Sequence, residues 1–265
     1  MHVALRFAYD GTQFASYARQ PAGGTVEDAL IEALRGDGYV EGSWRTGSRT
    51  DAGVSALANV AACRLDRAHL TGLIPAVQAL LPAGLWLTGV AAADPHWQPR
   101  HAQSRTYQYF APRQGEDPTA LQAACRAFVG EHDFSAFARL EGRQPVRPVT
   151  AMRVAASGPY WRFEVRAPGF LWNQVRRMVA ACLAVGQGRA TASDIDASLA
   201  SGRGHGAFGL AAAQGLLMTA VQYRPAIPWD ASAGRVPAGR VRSALQAAEV
   251  RRRVVGSLTA SSATL

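Results

Sequence analysis

Lysine is absent from the sequence: all 28 of its basic residues are arginine. A run of about 18 apolar residues, the length that a membrane-spanning helix needs, is also absent, so we expect no membrane span. The first residues alternate at His2–Tyr9 and lack the basic-then-apolar layout of a signal peptide. We therefore expect a cytoplasmic protein.

Cysteine is scarce. Cys63, Cys125 and Cys182 are odd in number, lie far apart and have apolar neighbours. They indicate reduced core residues and argue against a disulfide framework or a metal site. The sequence also lacks the glycine motifs of nucleotide binding, Cys-x-x-Cys pairs and histidine-rich clusters. We expect the protein to need neither a metal nor a cofactor.

The charge is unevenly distributed along the chain, whose formal net charge is +9. Residues 135–190 contain nine arginines and two acids, Glu141 and Glu164, whereas residues 235–253 contain six arginines and one acid, Glu249. Blocks of like charge are often only solvated surface. We interpret these two as contacts for a polyanionic partner, because clustered arginines bind nucleic-acid phosphates.

The pattern of apolar residues predicts alternating strands and helices. Period-two alternation indicates strands, and apolar residues three or four positions apart indicate helices. The predicted strands are His2–Tyr9, Leu57–Leu65, Leu85–Ala92, Arg105–Ala111, Val149–Ala156, Trp161–Ala167 and Leu216–Tyr223. The predicted helices are Thr25–Leu34 with Thr25 as N-cap, Leu70–Leu81, Leu121–Val129, Leu171–Val185 and Ser193–Leu199. This order favours an α/β or α+β fold with helices on one sheet face.

Asp51 is the first candidate for chemistry. It follows Arg49 and Thr50, and it precedes Ala52-Gly53, which lets the backbone turn tightly before the next strand. A single carboxylate in such a loop is placed to meet a substrate. A loop aspartate also commonly hydrogen-bonds only its own turn, and the loop alone does not separate the two interpretations.

Two other side chains are candidates for substrate contact. Tyr107 shares one face of a predicted strand with Tyr109, where an aromatic ring can support a stacked base. Arg176 lies beside the apolar stripe of its predicted helix, at the rim of the core. The ordinary alternatives are an aromatic pair on a sheet and a solvated helix arginine.

Several segments together resemble the tRNA pseudouridine synthase A (TruA) family, in an archaeal-like form. Arg-Thr-Asp-Ala-Gly-Val at 49–54 resembles the family's catalytic loop, and Arg-Thr-Tyr-Gln-Tyr at 105–109 resembles its Arg-x-Tyr-x-Tyr strand. The Phe170–Val179 segment is similar to its arginine helix. Further similar segments, in the same order, are Phe7–Phe14, Gly130–Phe137 and Ala213–Leu217.

This resemblance implies a pseudouridine synthase fold. Two ferredoxin-like halves, 1–103 and 104–228, would form one mixed, mostly antiparallel sheet with helices on one face and a central cleft. A basic tail, first helical and then disordered, would follow at 229–265. The chain departs from the family pattern at Ser55, where histidine is usual, and at Ala213, where proline is usual.

The resemblance also implies roles for four residues. Asp51 would be the catalytic aspartate, and Tyr107 would stack on the target base. Arg176 would pair with Asp51, since a neighbouring cation favours the ionised carboxylate. Arg49 would occupy the space that the base leaves when it turns out of the stack.

The implied function is isomerisation of uridine to pseudouridine in the anticodon stem-loop of tRNA, at positions 38, 39 and/or 40, by a homodimer without cofactor. Whether Asp51 attacks or deprotonates the sugar stays open. One alternative is a non-catalytic RNA-binding protein on a ferredoxin-like fold, which leaves the Arg49–Asp51 loop unexplained. Another is a metal-dependent nuclease or phosphatase, which needs clustered carboxylates, whereas the acids of this sequence are scattered.

Overall fold

The computed structural model describes residues 1–204 and 206–230, so the predicted tail 229–265 lies outside the described residues except for its first two. The strands are β1 (His2–Tyr9), β2 (Arg45–Thr46), β3 (Ser55–Arg64), β4 (Leu85–Ala92), β5 (Ser104–Pro112), β6 (Gly130–Asp133), β7 (Val146–Val149), β8 (Ala151–Ser157), β9 (Tyr160–Ala167) and β10 (Leu216–Gln222). The helices are α1 (Val26–Arg35), α2 (Leu73–Leu80), α3 (Pro118–Ala127), α4 (Gln174–Gly186) and α5 (Ala192–Ser201). Of the helices in these ranges, even the longest, α4, has only 13 residues, and none could cross a bilayer.

One large sheet organises the molecule. Its strand order is β4-β1-β3-β10-β5-β9-β8, with β2 pairing along β3, while β6 and β7 form a separate antiparallel pair. Within the large sheet the pairs are antiparallel except for the pair of β3 with β10. The predicted class, an α/β or α+β fold with a mostly antiparallel sheet, is confirmed.

The helices share a single apolar core with one face of the sheet. Strand β1 contributes Val3, Leu5 and Phe7, which are fully buried, and β9 contributes Phe163 and Val165. Burial of one such side chain stabilises the fold by about 1.5–3 kcal/mol. The three cysteines lie in this interior as free thiols, as predicted.

Helix α1 begins where the sequence predicts. The Thr25 hydroxyl oxygen accepts from the Asp28 backbone N–H at 3.1 Å, and the Asp28 carboxylate accepts from the Thr25 N–H at 3.4 Å. This reciprocal cap satisfies two N–H groups that a helix start otherwise leaves unpaired.

Helix α4 begins later than the prediction of Leu171–Val185. Asn173 adopts the left-handed conformation, with φ of 64°, and helical geometry starts only at Gln174. A left-handed residue cannot continue a right-handed helix. Trp172 therefore lies outside the helix, and Arg176 lies in its first turn.

Other differences from the predicted elements are local. The strands β2, β6 and β7 were not predicted, because two to four residues are too few to show an alternating pattern. Helix α3 starts at Pro118 because the Asp117 carboxylate caps it and proline suits a first helical turn. Helix α2 begins only after Gly72, whose φ is 76°.

Strands from both predicted halves meet in the middle of the sheet. The division at residue 103 stays a prediction, but the junction is visible: β10 pairs with β3 on one side and β5 on the other. The parallel pairing of β10 with β3 is short, joining Leu217 with Ser55 and Met218 with Ala56.

The turn after β1 contacts the loop that precedes β3. The Gly11 N–H donates to the Ser55 hydroxyl at 3.1 Å. A Cβ atom at Gly11 would lie 2.0 Å from the Val54 carbonyl oxygen, so only glycine fits there. This close approach fixes the end of the loop that carries Asp51.

We expect Gly11→Ala to lower the free energy of unfolding by about 1–3 kcal/mol, because the added methyl group must displace the Val54 carbonyl. Gly36→Ala is the matched control, since a Cβ at Gly36 meets nothing within 4 Å and its backbone is already helical. Urea unfolding of both variants measures the difference. Equal midpoints would contradict the close contact at Gly11.

Candidate active site

A cleft of about 1340 Å³ opens between the loop that carries Asp51 and the start of α4. Its walls carry many arginines and few acids. The lining arginines are Arg45, Arg49, Arg100, Arg105, Arg139, Arg143, Arg147 and Arg176, and the lining acids are Glu27, Asp51 and Glu141. A concave surface lined by one sign of charge concentrates the field and attracts a polyanion.

Asp51 lies on the wall of this cleft with both carboxylate oxygens occupied. Its Oδ2 accepts from an Arg176 terminal nitrogen at 2.7 Å, and its Oδ1 accepts from the Trp172 indole N–H at 2.8 Å. The loop is tight: the Val54 N–H donates to the Asp51 carbonyl at 3.1 Å, and Gly53 has φ of 84°. The carboxylate is therefore fixed in direction, yet the side chain remains 25% exposed towards the cleft.

Arg176 is held from its own side as well. Its Nε donates to the Ala211 carbonyl at 2.7 Å, and the terminal nitrogen that binds Asp51 also contacts the Asn173 side-chain oxygen at 3.4 Å. The expected contact between Arg176 and Asp51 is present, and it joins residues 125 positions apart.

The sequence did not identify Trp172 as a site residue. Its indole is 39% exposed and lies under the Arg139 guanidinium, 4.7 Å from the ring centroid. The Arg139 backbone N–H also donates to the Trp172 carbonyl at 2.9 Å. In the sequence Trp172 falls at the predicted helix start, and the apolar stripe gives no sign that the helix begins later.

Tyr107 lines the same cleft from β5. Its ring packs edge-on against Phe170 at 5.3 Å between centroids. Burial raises the pKa of Tyr107 to about 12; the Arg105 charge opposes this rise and the Asp51 charge adds to it. The phenol is therefore neutral near pH 7, and the side chain offers the cleft an aromatic surface without charge.

Arg49 also lines the cleft, and its side chain is exposed. The adjoining loop residues are anchored to β1 and β3. The Thr50 hydroxyl bonds to the Tyr9 hydroxyl at 2.8 Å, and the Asn59 amide donates to Tyr9 at 3.2 Å and to the Ser48 carbonyl at 2.9 Å. All four predicted site residues thus border one cavity.

Arg105 is a second residue that the sequence pattern did not single out. It is 7% exposed and donates to the Ser48 hydroxyl at 2.7 Å. It also donates to the carbonyl oxygens of Pro168, Gly47 and Arg100. One buried guanidinium therefore ties the base of the Asp51 loop to the chain that leads into α4.

Clusters of three or more His, Cys, Asp or Glu side chains that could hold a metal ion do not occur in residues 1–204 and 206–230.

Comparison with known proteins gives consistent relatives. The family model described as tRNA pseudouridine synthase matches residues 124–224. The tRNA pseudouridine synthase A of Pyrococcus horikoshii is 35% identical over 231 residues, covering 84% of this chain and 86% of that protein. The tRNA pseudouridine synthase A of Methanoculleus marisnigri is 38% identical over 243 residues, covering 89% of this chain and 88% of that protein.

Among solved structures, the archaeal box H/ACA sRNP Nop10–Cbf5 complex matches with a TM-score of 0.36 and 19% identity, over 74% of this chain and 43% of that one. That likeness is too distant to inform the site. The curated relatives instead cover most of both chains at more than a third identity. The chain therefore belongs to the tRNA pseudouridine synthase A family.

Proposed function

We propose that Asp51 is the catalytic residue with which this family member converts uridine to pseudouridine in tRNA. We further propose that the target uridines lie in the anticodon stem-loop, at positions 38, 39 and/or 40, and that the enzyme acts as a cytoplasmic homodimer. The proposal rests on one observation: Asp51, at the wall of an arginine-lined cleft, accepts hydrogen bonds from both Arg176 and Trp172.

The geometry suits a base that has left its stack. A uracil turned out of the RNA needs a flat apolar surface in the pocket. The neutral ring of Tyr107 offers that surface, and stacking on an aromatic ring contributes about 1–3 kcal/mol per base. Arg49, exposed at the cleft, is in place to enter the gap that the base leaves.

The reaction then exchanges one bond for another. The bond between N1 of uracil and C1′ of ribose breaks with participation of the Asp51 carboxylate, the detached uracil turns, and a bond forms between C5 and C1′. The C5 hydrogen leaves as a proton and N1 gains one, so the formula is unchanged. Arg176 always carries its charge and holds the Asp51 carboxylate in a fixed direction through the contact at 2.7 Å.

The direct test of the proposed function is to incubate the purified chain with uridine-containing tRNA transcripts and map pseudouridine by chemical labelling. We expect modification within the anticodon stem-loop, and its loss when the target uridine is replaced by cytidine. Pseudouridine confined to another arm of the tRNA would refute the proposed position. Light scattering of the same preparation tests the homodimer.

Replacing Asp51 by asparagine should abolish turnover. Asp51→Asn keeps the shape but removes the nucleophile or base, so we expect a loss of at least about 100-fold in the single-turnover rate. Affinity for tRNA should change little, because the arginine contacts to phosphate remain.

The matched control for this change is Asp37→Asn. Asp37 forms a comparable, partly buried ion pair with Arg67 at 2.6 Å, and neither residue lines the cleft. Asp37→Asn should lower the free energy of unfolding by a similar amount and leave the turnover rate unchanged. Residual activity of Asp51→Asn close to that of Asp37→Asn would remove Asp51 from the mechanism.

Trp172 should act as a positioning residue for Asp51. Trp172→Phe keeps an aromatic ring under Arg139 and removes the N–H that binds Oδ1. A hydrogen bond to a charged group contributes about 1.5–3 kcal/mol, so we expect kcat to fall by about tenfold or more while KM changes little.

The chain contains a matched control for this change. Trp161 donates to the Glu116 carboxylate at 2.9 Å and lies under the Arg113 guanidinium at 4.7 Å, outside the cleft. Trp161→Phe should lower stability without lowering kcat. A kcat for Trp172→Phe equal to that of the wild type would show that the indole does not orient Asp51.

A further inference from the structure

Arg177, the residue after Arg176, is a buried cation without a counter-charge. Its side chain is 9% exposed, and its Nε atom has no hydrogen-bond partner. Across residues 1–204 and 206–230 no carboxylate forms an ion pair with it. Burial lowers the pKa of Arg177, and the positive charges of Arg139 and Arg176 lower it further. The guanidinium therefore lies where an anion is favoured.

The other buried charged side chains of the described residues form no ion pair either, but each of them makes several hydrogen bonds. Arg105, which is equally buried, donates to four oxygen atoms. Glu27 and Glu116 each accept hydrogen bonds from three donors. An unpaired buried charge is strongly unfavourable in a folded protein. The contrast indicates that the partner of Arg177 is not part of the polypeptide described here.

The position of Arg177 identifies the region from which this partner comes. A Cβ atom at Gly206 would lie 3.1 Å from a terminal nitrogen of Arg177, so the glycine leaves room for the guanidinium. The neighbouring cation Arg139 is exposed, lines the cleft and stacks on Trp172, which binds Asp51. Arg177 does not itself line the cleft, but it directly follows Arg176, which does, and it feels the charge of Arg139, another lining residue.

We propose that Arg177 binds a backbone phosphate of the tRNA next to the cleft, with Arg139 as the second cation. The inference rests on the proposed function, since it takes tRNA as the substrate. A guanidinium donates two parallel hydrogen bonds to phosphate oxygens, and a phosphodiester relieves the repulsion between two neighbouring arginines. Contacts to phosphates fix the register of a nucleic acid without reading its sequence.

Affinity for tRNA tests the proposal. Arg177→Met keeps the length of the side chain and removes its charge, so we expect the Kd for tRNA to rise by about tenfold. The slope of log affinity against log salt should shrink by about 0.7–0.9, the value of one neutralised phosphate. The control is Arg126→Met, which removes an exposed arginine near the end of α3 that does not line the cleft. An unchanged Kd and slope for Arg177→Met would overturn the proposal.

Stability without RNA separates a binding residue from a structural one. In chloride buffer Arg177→Met should melt at the same temperature as the wild type or higher, because it removes an unpaired buried charge. A lower melting temperature with unchanged tRNA affinity would mark Arg177 as structural. Inorganic phosphate, at matched ionic strength, serves as the small-anion probe. If it stabilises the wild type through Arg177 while tRNA affinity does not depend on that residue, the ligand is free phosphate and the proposal fails.

The rate of pseudouridine formation distinguishes a failure of the phosphate site from a failure of the proposed function. In Arg177→Met the KM for tRNA should rise together with the Kd, because the variant loses a contact to phosphate. A wild-type protein that binds tRNA through Arg177 but forms no pseudouridine would refute the proposed function alone. A variant with normal binding and normal turnover would refute the phosphate site alone.

Discussion

The pairing of β10 with β3 is the constraint on which the site depends. It consists of two parallel residue pairs, and on its other edge β10 pairs with β5 over a longer antiparallel stretch. The Asp51 loop leads directly into β3, and Tyr107 lies on β5. Because β10 lies between β3 and β5, it sets the separation of the two strands that bring Asp51 and Tyr107 to the same cleft. A shift of register here would carry the carboxylate away from Arg176, because a one-residue slip also moves side chains to the other sheet face.

Near this strand pairing, arginine side chains connect segments that are far apart in the sequence. Arg105 donates to four oxygen atoms on three segments of the chain from one buried position, which suits a guanidinium with five donors. Arg176 joins Asp51 to the Ala211 carbonyl, and Arg139 covers Trp172. A lysine ammonium, with three donors on a flexible stem, could not replace Arg105 without leaving an acceptor unpaired. The bias of composition towards arginine is thus used structurally as well as for attraction of a polyanion.

Local patterns predicted most of the fold. Strand β1 and helix α1 follow from alternation and from the Thr25 cap, both of which act within a few residues. The predicted start of α4 at Leu171 was wrong, because the left-handed conformation of Asn173 interrupts an otherwise continuous apolar stripe. Such a conformation depends on contacts with distant segments, and the stripe carries no sign of it.

The site was predictable in a different way. The meeting of Asp51 with Arg176 came from resemblance to a family, since no local pattern links residues 125 positions apart. Trp172 and Arg105 were not predicted, because their partners are backbone carbonyls, the Ser48 hydroxyl and the Asp51 carboxylate, which only the folded chain brings near. Arg177 was passed over for the opposite reason: in sequence it is one more arginine on a helix, and only its burial distinguishes it.

Strand β10 is central in the sheet but comes last among the described strands in the sequence, so it is synthesised after the strands that it joins. Asp51, Tyr107 and Arg176 have all been synthesised before the ribosome reaches Leu216, yet the strand that sets β3 beside β5 has not. A chain that ends before Leu216 carries all three of these candidate site residues and lacks the strand that lies between β3 and β5. Any activity that depends on this alignment therefore requires synthesis of the chain through β10.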